Sequence, residues 1–166
     1  MRALVNLLFL AGYLVAFGGA GYWAHQRFIV GAELIEAAAK GDLDAARSAI
    51  EHGASVDGDG LEGYNAMRSA IKNGHIDMVR LLIEKGADPS RRTMDYTPLG
   101  WAAAYGKRPI FDYLRGQGAR LNLTDYAHKQ LTSHIKNWGS RDMLPEVEAL
   151  FQVEGVYKGR SRDADK

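Results

Sequence analysis

Hydrophobic and polar positions fall along this chain in distinct regimes. Residues 3 to 23 are almost wholly apolar, with Asn6 the one clearly polar side chain. From Glu33 to Asn122, apolar residues recur at helical spacing in short stretches, each closed by glycine. After Asn122 the helical spacing continues but the regular punctuation is lost. Gly155 to Lys166 is polar and mixed in charge, the composition of a disordered tail.

The middle regime is one pattern written repeatedly. Gly74 recurs as Gly106, Gly86-Ala87 as Gly118-Ala119, Met67 as Leu99 and Ala70 as Ala102. One period earlier stand Leu34, Ala37, Ala38, Gly41 and Gly53-Ala54. A period of about 33 residues with two helical patterns per unit is the signature of a stacked solenoid. Within a unit, Thr97 is a good N-cap and Pro98 suits the first helical position, where its missing N–H costs nothing. Leu99, Ala102 and Ala103 then share a face, and Gly106 can end the helix in a left-handed conformation. The spacing predicts a second helix over Ile76–Lys85 with Met78, Val79, Leu82 and Ile83 on its apolar face. In the first unit the second helix is alanine-rich (Ala45, Ala46, Ala49), which predicts the weaker end of the stack unless the membrane segment supports it. Leu131, Ile135 and Trp138, then Leu144, Val147 and Leu150-Phe151, predict two more helices separated at Gly139. Pro109 and Pro145 fall in first turns, where proline is tolerated.

The segments TPL at 97–99, Ala102-Ala103, Gly74-His75 and GAD at 86–88 resemble the ankyrin repeat family. The resemblance is specific over 62–122, good over 33–57 and weak over 123–152. It implies an all-α solenoid of helix-turn-helix units, each a finger-like turn followed by two antiparallel helices. Three recognisable repeats and a degenerate C-terminal capping unit then occupy 28–153, with 154–166 a polar tail. The family's TPLH histidine is replaced by Arg68 and by Gly100, which removes a bond between turns. Asp95 stands where the family usually has glycine. His75 matches a structural position of the pattern.

Partners of this family dock on the concave side, on finger tips and the exposed edge of each first helix. Carried over by position, the resemblance implies a protein partner bound by Glu62, Tyr64 and Lys72 of one unit. The next unit supplies Arg92, Met94, Asp95, Tyr96, Trp101 and Tyr105. Tyr, Trp and Arg dominate binding hot spots. A competing reading packs Trp101 between units and lays Tyr105 over a helix, whereas Tyr96, on a finger, is expected to face a partner.

Ala3 to Trp23, as a helix, would span roughly 30 Å, the thickness of a bilayer core. Gly18-Gly19-Ala20 offers small residues to a signal peptidase. The length of the run, its interfacial Tyr22 and Trp23 and the flanking Arg27 instead favour a retained transmembrane helix within 1–27. That architecture suggests a single-pass protein of a bacterial inner membrane, with the repeats on the periplasmic side.

Composition removes several alternatives. A net charge of +1 gives no electrostatic field for nucleic acid. The absence of cysteine excludes disulfides, thiolate metal sites and cysteine nucleophiles. Asp57 to Gly63 (DGDGLEG) alternates acid and glycine like a calcium loop, but Leu61 stands where a third acidic ligand belongs, so it reads as a turn. His128 and His134 are wrongly spaced for metal ligands on one helical face. No nucleophile elbow or phosphate-binding loop is present. The expectation is therefore no enzyme, no cofactor, no metal and no small-molecule substrate. What remains is a tethered interaction module, in one version an immunity-type inhibitor of a toxic enzyme. The alternative is a structural subunit whose Gly12, Gly18, Gly19 and Gly21 pack a membrane complex.

Overall fold

A computed structural model describes residues 29–60, 64–138 and 141–156. The anchor expected within 1–27, most of the tail and Glu62 lie outside the described residues. Among the described residues no helix is long and apolar enough to cross a membrane.

The described chain is helical without strands. Residues 29–40 form α1. Then come α2 (Leu43–Glu51), α3 (Ala66–Asn73), α4 (Ile76–Glu84), α5 (Pro98–Ala104), α6 (Arg108–Gly116), α7 (Asp125–Trp138), a 3-10 turn at Arg141–Met143, and α8 (Leu144–Glu154). Short turns fold each second helix back on its first, giving four pairs. First helices pack on first helices (α3 on α5, α5 on α7), and second helices on second helices (α2 on α4, α4 on α6). We call the side made by the first helices and the fingers the inner face.

Local chemistry sets these boundaries. Asn65 caps α3 by accepting from the Arg68 N–H at 2.8 Å, and its amide donates to Thr93 Oγ1 at 2.9 Å in the next finger. Thr97 caps α5 by accepting from the Gly100 N–H at 3.4 Å, and its hydroxyl donates to the Arg120 carbonyl at 2.8 Å. Each cap residue therefore also ties its unit to the following one. Pro109 and Pro145 sit in the first turns of α6 and α8. The inner helices leave through glycine: Gly41 has φ +75° and Gly74 φ +81°, a region that disfavours a Cβ. At Gly41 space adds a second reason, since a Cβ there would lie 2.7 Å from His75 Nδ1. His75 Nε2 in turn lies 3.1 Å from the Ala39 carbonyl oxygen of the preceding unit. The structural role expected of His75 is thus a bond between units.

One continuous core runs through the stack. Small residues (Ala38, Ala70, Ala102, Ala103) let the helices approach, while Ile71, Met78, Leu82, Leu99, Phe111 and Leu114 fill between them, all fully buried. In α4 the sequence expectation shifts by one position: Leu81 is buried and Ile83 only half-buried. The terminal pairs differ in what they bury, the first adding Val30 and Leu34 of α1 to alanines of α2. Ala46 and Ala49 are the buried residues of α2. The fourth pair is anchored by Leu131, Ile135, Met143 and Val147. It closes where the Glu154 carboxylate accepts from the N–H groups of Leu121 (2.9 Å) and Asn122 (3.0 Å).

The fingers are held by polar bonds to their neighbours. Asp57 accepts from the Asp88 N–H at 3.2 Å, Arg91 pairs with Asp59 at 2.7 Å, and Ser90 Oγ accepts from the Arg120 N–H at 3.2 Å. The described aspartates of the DGDGLEG segment therefore serve the stack. Among the described residues no cluster of acids and histidines could hold a metal ion.

Candidate partner-binding face

The inner face carries one unusual feature, a buried cation among aromatic rings. Arg68 projects from the first turn of α3 and is 8% exposed. Its guanidinium carbon lies 4.2 Å from the centre of the Tyr64 ring and 3.9 Å from that of Trp101. Its Nη1 donates to Met94 Sδ at 3.0 Å and its Nη2 to Tyr105 Oη at 3.4 Å, while Nε has no partner among the described residues. Among the described residues no carboxylate comes within ion-pair distance of it. Desolvating a charge without a counter-ion is costly, so the two rings carry much of the compensation; a desolvated cation–π contact contributes about 2 kcal/mol.

The rings are themselves fixed. Trp101 Nε1 donates to the Thr93 carbonyl at 3.2 Å. Its ring stacks on Tyr105 at 5.4 Å with 17° between planes, and meets Tyr96 edge-on at 4.8 Å. Thr93 and Tyr96 close the finger through a 2.9 Å backbone bond from the Thr93 N–H to the Tyr96 carbonyl. That closure turns the Tyr96 side chain inward, where its hydroxyl lies 3.0 Å from His134 Nδ1 on α7. Burial, helped by the nearby charge of Asp95, pushes the Tyr96 phenol up to about 12. Gly100 makes room for this ring, because a Cβ there would sit 3.0 Å from Tyr96 Cβ. The glycine in place of the TPLH histidine thus accompanies a tyrosine that has moved inward.

Beside the cation lies a cavity of about 490 Å³ between α1 and the first finger. Ala32, Ile35 and Ala39 line it from the helix, and Gly58 and Gly60 from the finger. Tyr64 borders both the cavity and Arg68.

The structure therefore gathers most of the expected residues but not in the expected exposure. Tyr64 and Tyr105 are half-buried at the cation, and Lys72 is exposed one turn along α3 with its Nζ 5.6 Å from the Tyr64 ring. Met94 and Asp95 are exposed at the finger tip, Met94 at 60% with a left-handed φ of 57°. Arg92 is half-buried and donates to the Asp95 and Asn122 carbonyls at 3.2 and 3.4 Å. Two expectations are corrected. Tyr96 is 1% exposed and Trp101 8%, so neither is presented to a partner. Trp101 packs between units, and Tyr96 points at the fourth unit because the finger folds it there. The organising residue, Arg68, was not among the expected contacts. Tyr64 precedes the N-cap of α3, so helical spacing gave no signal that its ring would meet Arg68.

Comparison with known proteins agrees with this architecture. A family model described as ankyrin repeats (3 copies) matches residues 34–125. The chain is 36% identical over 120 residues to the palmitoyltransferase AKR1 of Lachancea kluyveri, covering 69% of this chain and 16% of that protein. It is 33% identical over 95 residues to the inactive serine/threonine-protein kinase TEX14 of Mus musculus, covering 57% and 7%. It is 34% identical over 86 residues to ankyrin repeat domain-containing protein 63 of Homo sapiens, covering 49% and 23%. The chain spans less than a quarter of the length of each of these relatives.

Proposed function

The chain belongs to the ankyrin repeat family, and on that premise we propose that it is a non-catalytic module, held at a membrane by residues 1–27, that binds another protein on its inner face. The family supports a protein–protein interaction role. The cluster of Tyr64, Lys72, Met94 and Tyr105, set around the buried Arg68 beside a cavity, is the observation that supports the inner face. It combines the aromatic anchors of binding hot spots with a concave apolar recess. Tethering raises the effective concentration toward membrane partners, so modest affinity suffices.

The test is capture of binding proteins from detergent-solubilised native membranes. Wild type is compared with a variant carrying Tyr64→Ala, Lys72→Ala and Met94→Ala, positions whose truncation leaves the core intact. Loss of a specific partner in the variant, with its helical spectrum unchanged, is the expected result. A partner retained at full yield by the variant moves the interaction off the inner face.

A further inference from the structure

We propose that Met94 is a modification site: hydrogen peroxide oxidises its thioether selectively to the sulfoxide, and Arg68 binds the new oxygen, tying the finger tip more firmly to α3. This stands apart from the partner-binding reading above and does not depend on it.

The first argument is selectivity. The chain has no cysteine, so its only sulfur is that of five methionines. Met67, Met78 and Met143 are 3%, 0% and 0% exposed, and Met1 lies outside the described residues. Met94 is 60% exposed at the finger tip. Dissolved peroxide must reach the sulfur, so Met94 reacts first among the described methionines. Its backbone has a φ of 57°, a left-handed conformation in which a long side chain is uncommon. In the reaction a sulfur lone pair takes one oxygen of the peroxide. The O–O bond breaks, an S–O bond forms, and water leaves with both hydrogens. Sulfur gives up two electrons and the peroxide takes them. Having no thiol of its own, the chain relies for reversal on a separate dithiol reductase, which becomes a disulfide as the oxygen leaves as water.

The second argument is the receiver. Arg68 Nη1 already donates to the Met94 sulfur at 3.0 Å, so the oxygen forms beside a guanidinium. A thioether is a weak acceptor, whereas the sulfoxide oxygen carries substantial negative charge. Hydrogen bonds from an ionised donor are roughly twice as strong as neutral ones. Arg68 is buried and its Nε has no partner among the described residues, so a better acceptor counts for most here. The rings of Tyr64 and Trp101 fix the guanidinium, while the flexible stem of Met94 can swing the oxygen toward it. Methionine sulfoxide ordinarily destabilises a protein by putting a polar group into an apolar core. Met94 is not part of the core, and that reverses the sign.

The experiment treats the full chain, in detergent micelles and isotope-labelled for NMR, with dilute hydrogen peroxide. Peptide mapping by mass spectrometry scores each methionine separately. We expect Met94 to gain one oxygen atom at least about tenfold faster than Met67, Met78 or Met143. The Arg68 Nε–H resonance should shift in step, and the urea midpoint of the oxidised chain should rise. Met94→Leu should show neither change. Met94→Gln, whose carbonyl oxygen matches the position of the sulfoxide oxygen, should shift Arg68 without peroxide. Met94 is exposed, so both variants fold. Oxidation of Met94 no faster than that of the buried methionines overturns the site. Fast oxidation with an unmoved Arg68 resonance, a midpoint that fails to rise, or a shift that persists in Met94→Leu overturns the role of Arg68.

Discussion

The imidazole of His75 lies 3.1 Å from the Ala39 carbonyl oxygen, and it occupies the space that a side chain at Gly41 would need. One glycine and one histidine, a repeat apart, thereby set the spacing of the first two units. Gly41→Ala meets two penalties: a positive φ costs about 1–2 kcal/mol, and the new methyl strikes the ring. We expect a loss of about 2 kcal/mol or more in urea unfolding. In Gly41→Ala, His75→Ala the collision is relieved, so the double variant is less destabilised than the sum of the singles. Additive effects would show that the ring does not fix this spacing.

Tyr96 makes stability fall in alkali. Its phenol ionises near 10 in the unfolded chain and near 12 in the folded one. Below pH 10 both states hold the proton, and there is no difference. Between 10 and 12 the unfolded state loses it first, so the unfolded state gains and stability declines as pH rises. Tyr96→Phe lacks this slope. At pH 7 it is the less stable by about 1 kcal/mol, from the lost bond to His134. The two denaturation midpoints therefore converge above pH 10, and parallel curves would refute the assignment.

Glu154 closes the C-terminal end by accepting from two backbone N–H groups at the start of the fourth unit. Glu154→Ala should cost about 1.5–3 kcal/mol, the range for hydrogen bonds to a charged group. The loss should appear as faster amide exchange at Leu121 and Asn122. Unchanged exchange at both would assign closure to the apolar residues of α8 instead.

The tether is tested separately from the binding face. Alkaline carbonate extraction should leave the full chain in the membrane pellet and release a variant lacking residues 1–27. Release of the full chain would place these residues among cleaved or merely peripheral segments, with the inner-face reading untouched.

Much of the fold was legible because its determinants are local. Thr97 and Asn65 cap helices three residues on, Pro98 and Pro109 mark first turns, and the glycine period counts the units. The binding face was less legible because it is assembled across units. Tyr96 sits on a finger, and only the gap left by Gly100 on the next turn shows that its ring goes inward. Arg68 reads as a surface base until α5 is laid against α3 and Trp101 covers it. Leu81 and Ile83 illustrate a smaller failure. Helical spacing alone does not say how wide the buried stripe is, and the neighbouring α2 and α6 decide which edge of α4 is covered.

The inequality between the two ends of the stack has a mechanical consequence. The first pair buries Val30 and Leu34 of α1 beside the alanines of α2 and is joined by the His75 bond, whereas the last adds the Glu154 carboxylate to its leucine and isoleucine. A pull entering the stack at residue 29 therefore loads the pair that lacks a carboxylate clasp. Separation of α1 under such a pull would open the wall of the cavity that Ala32, Ile35 and Ala39 provide.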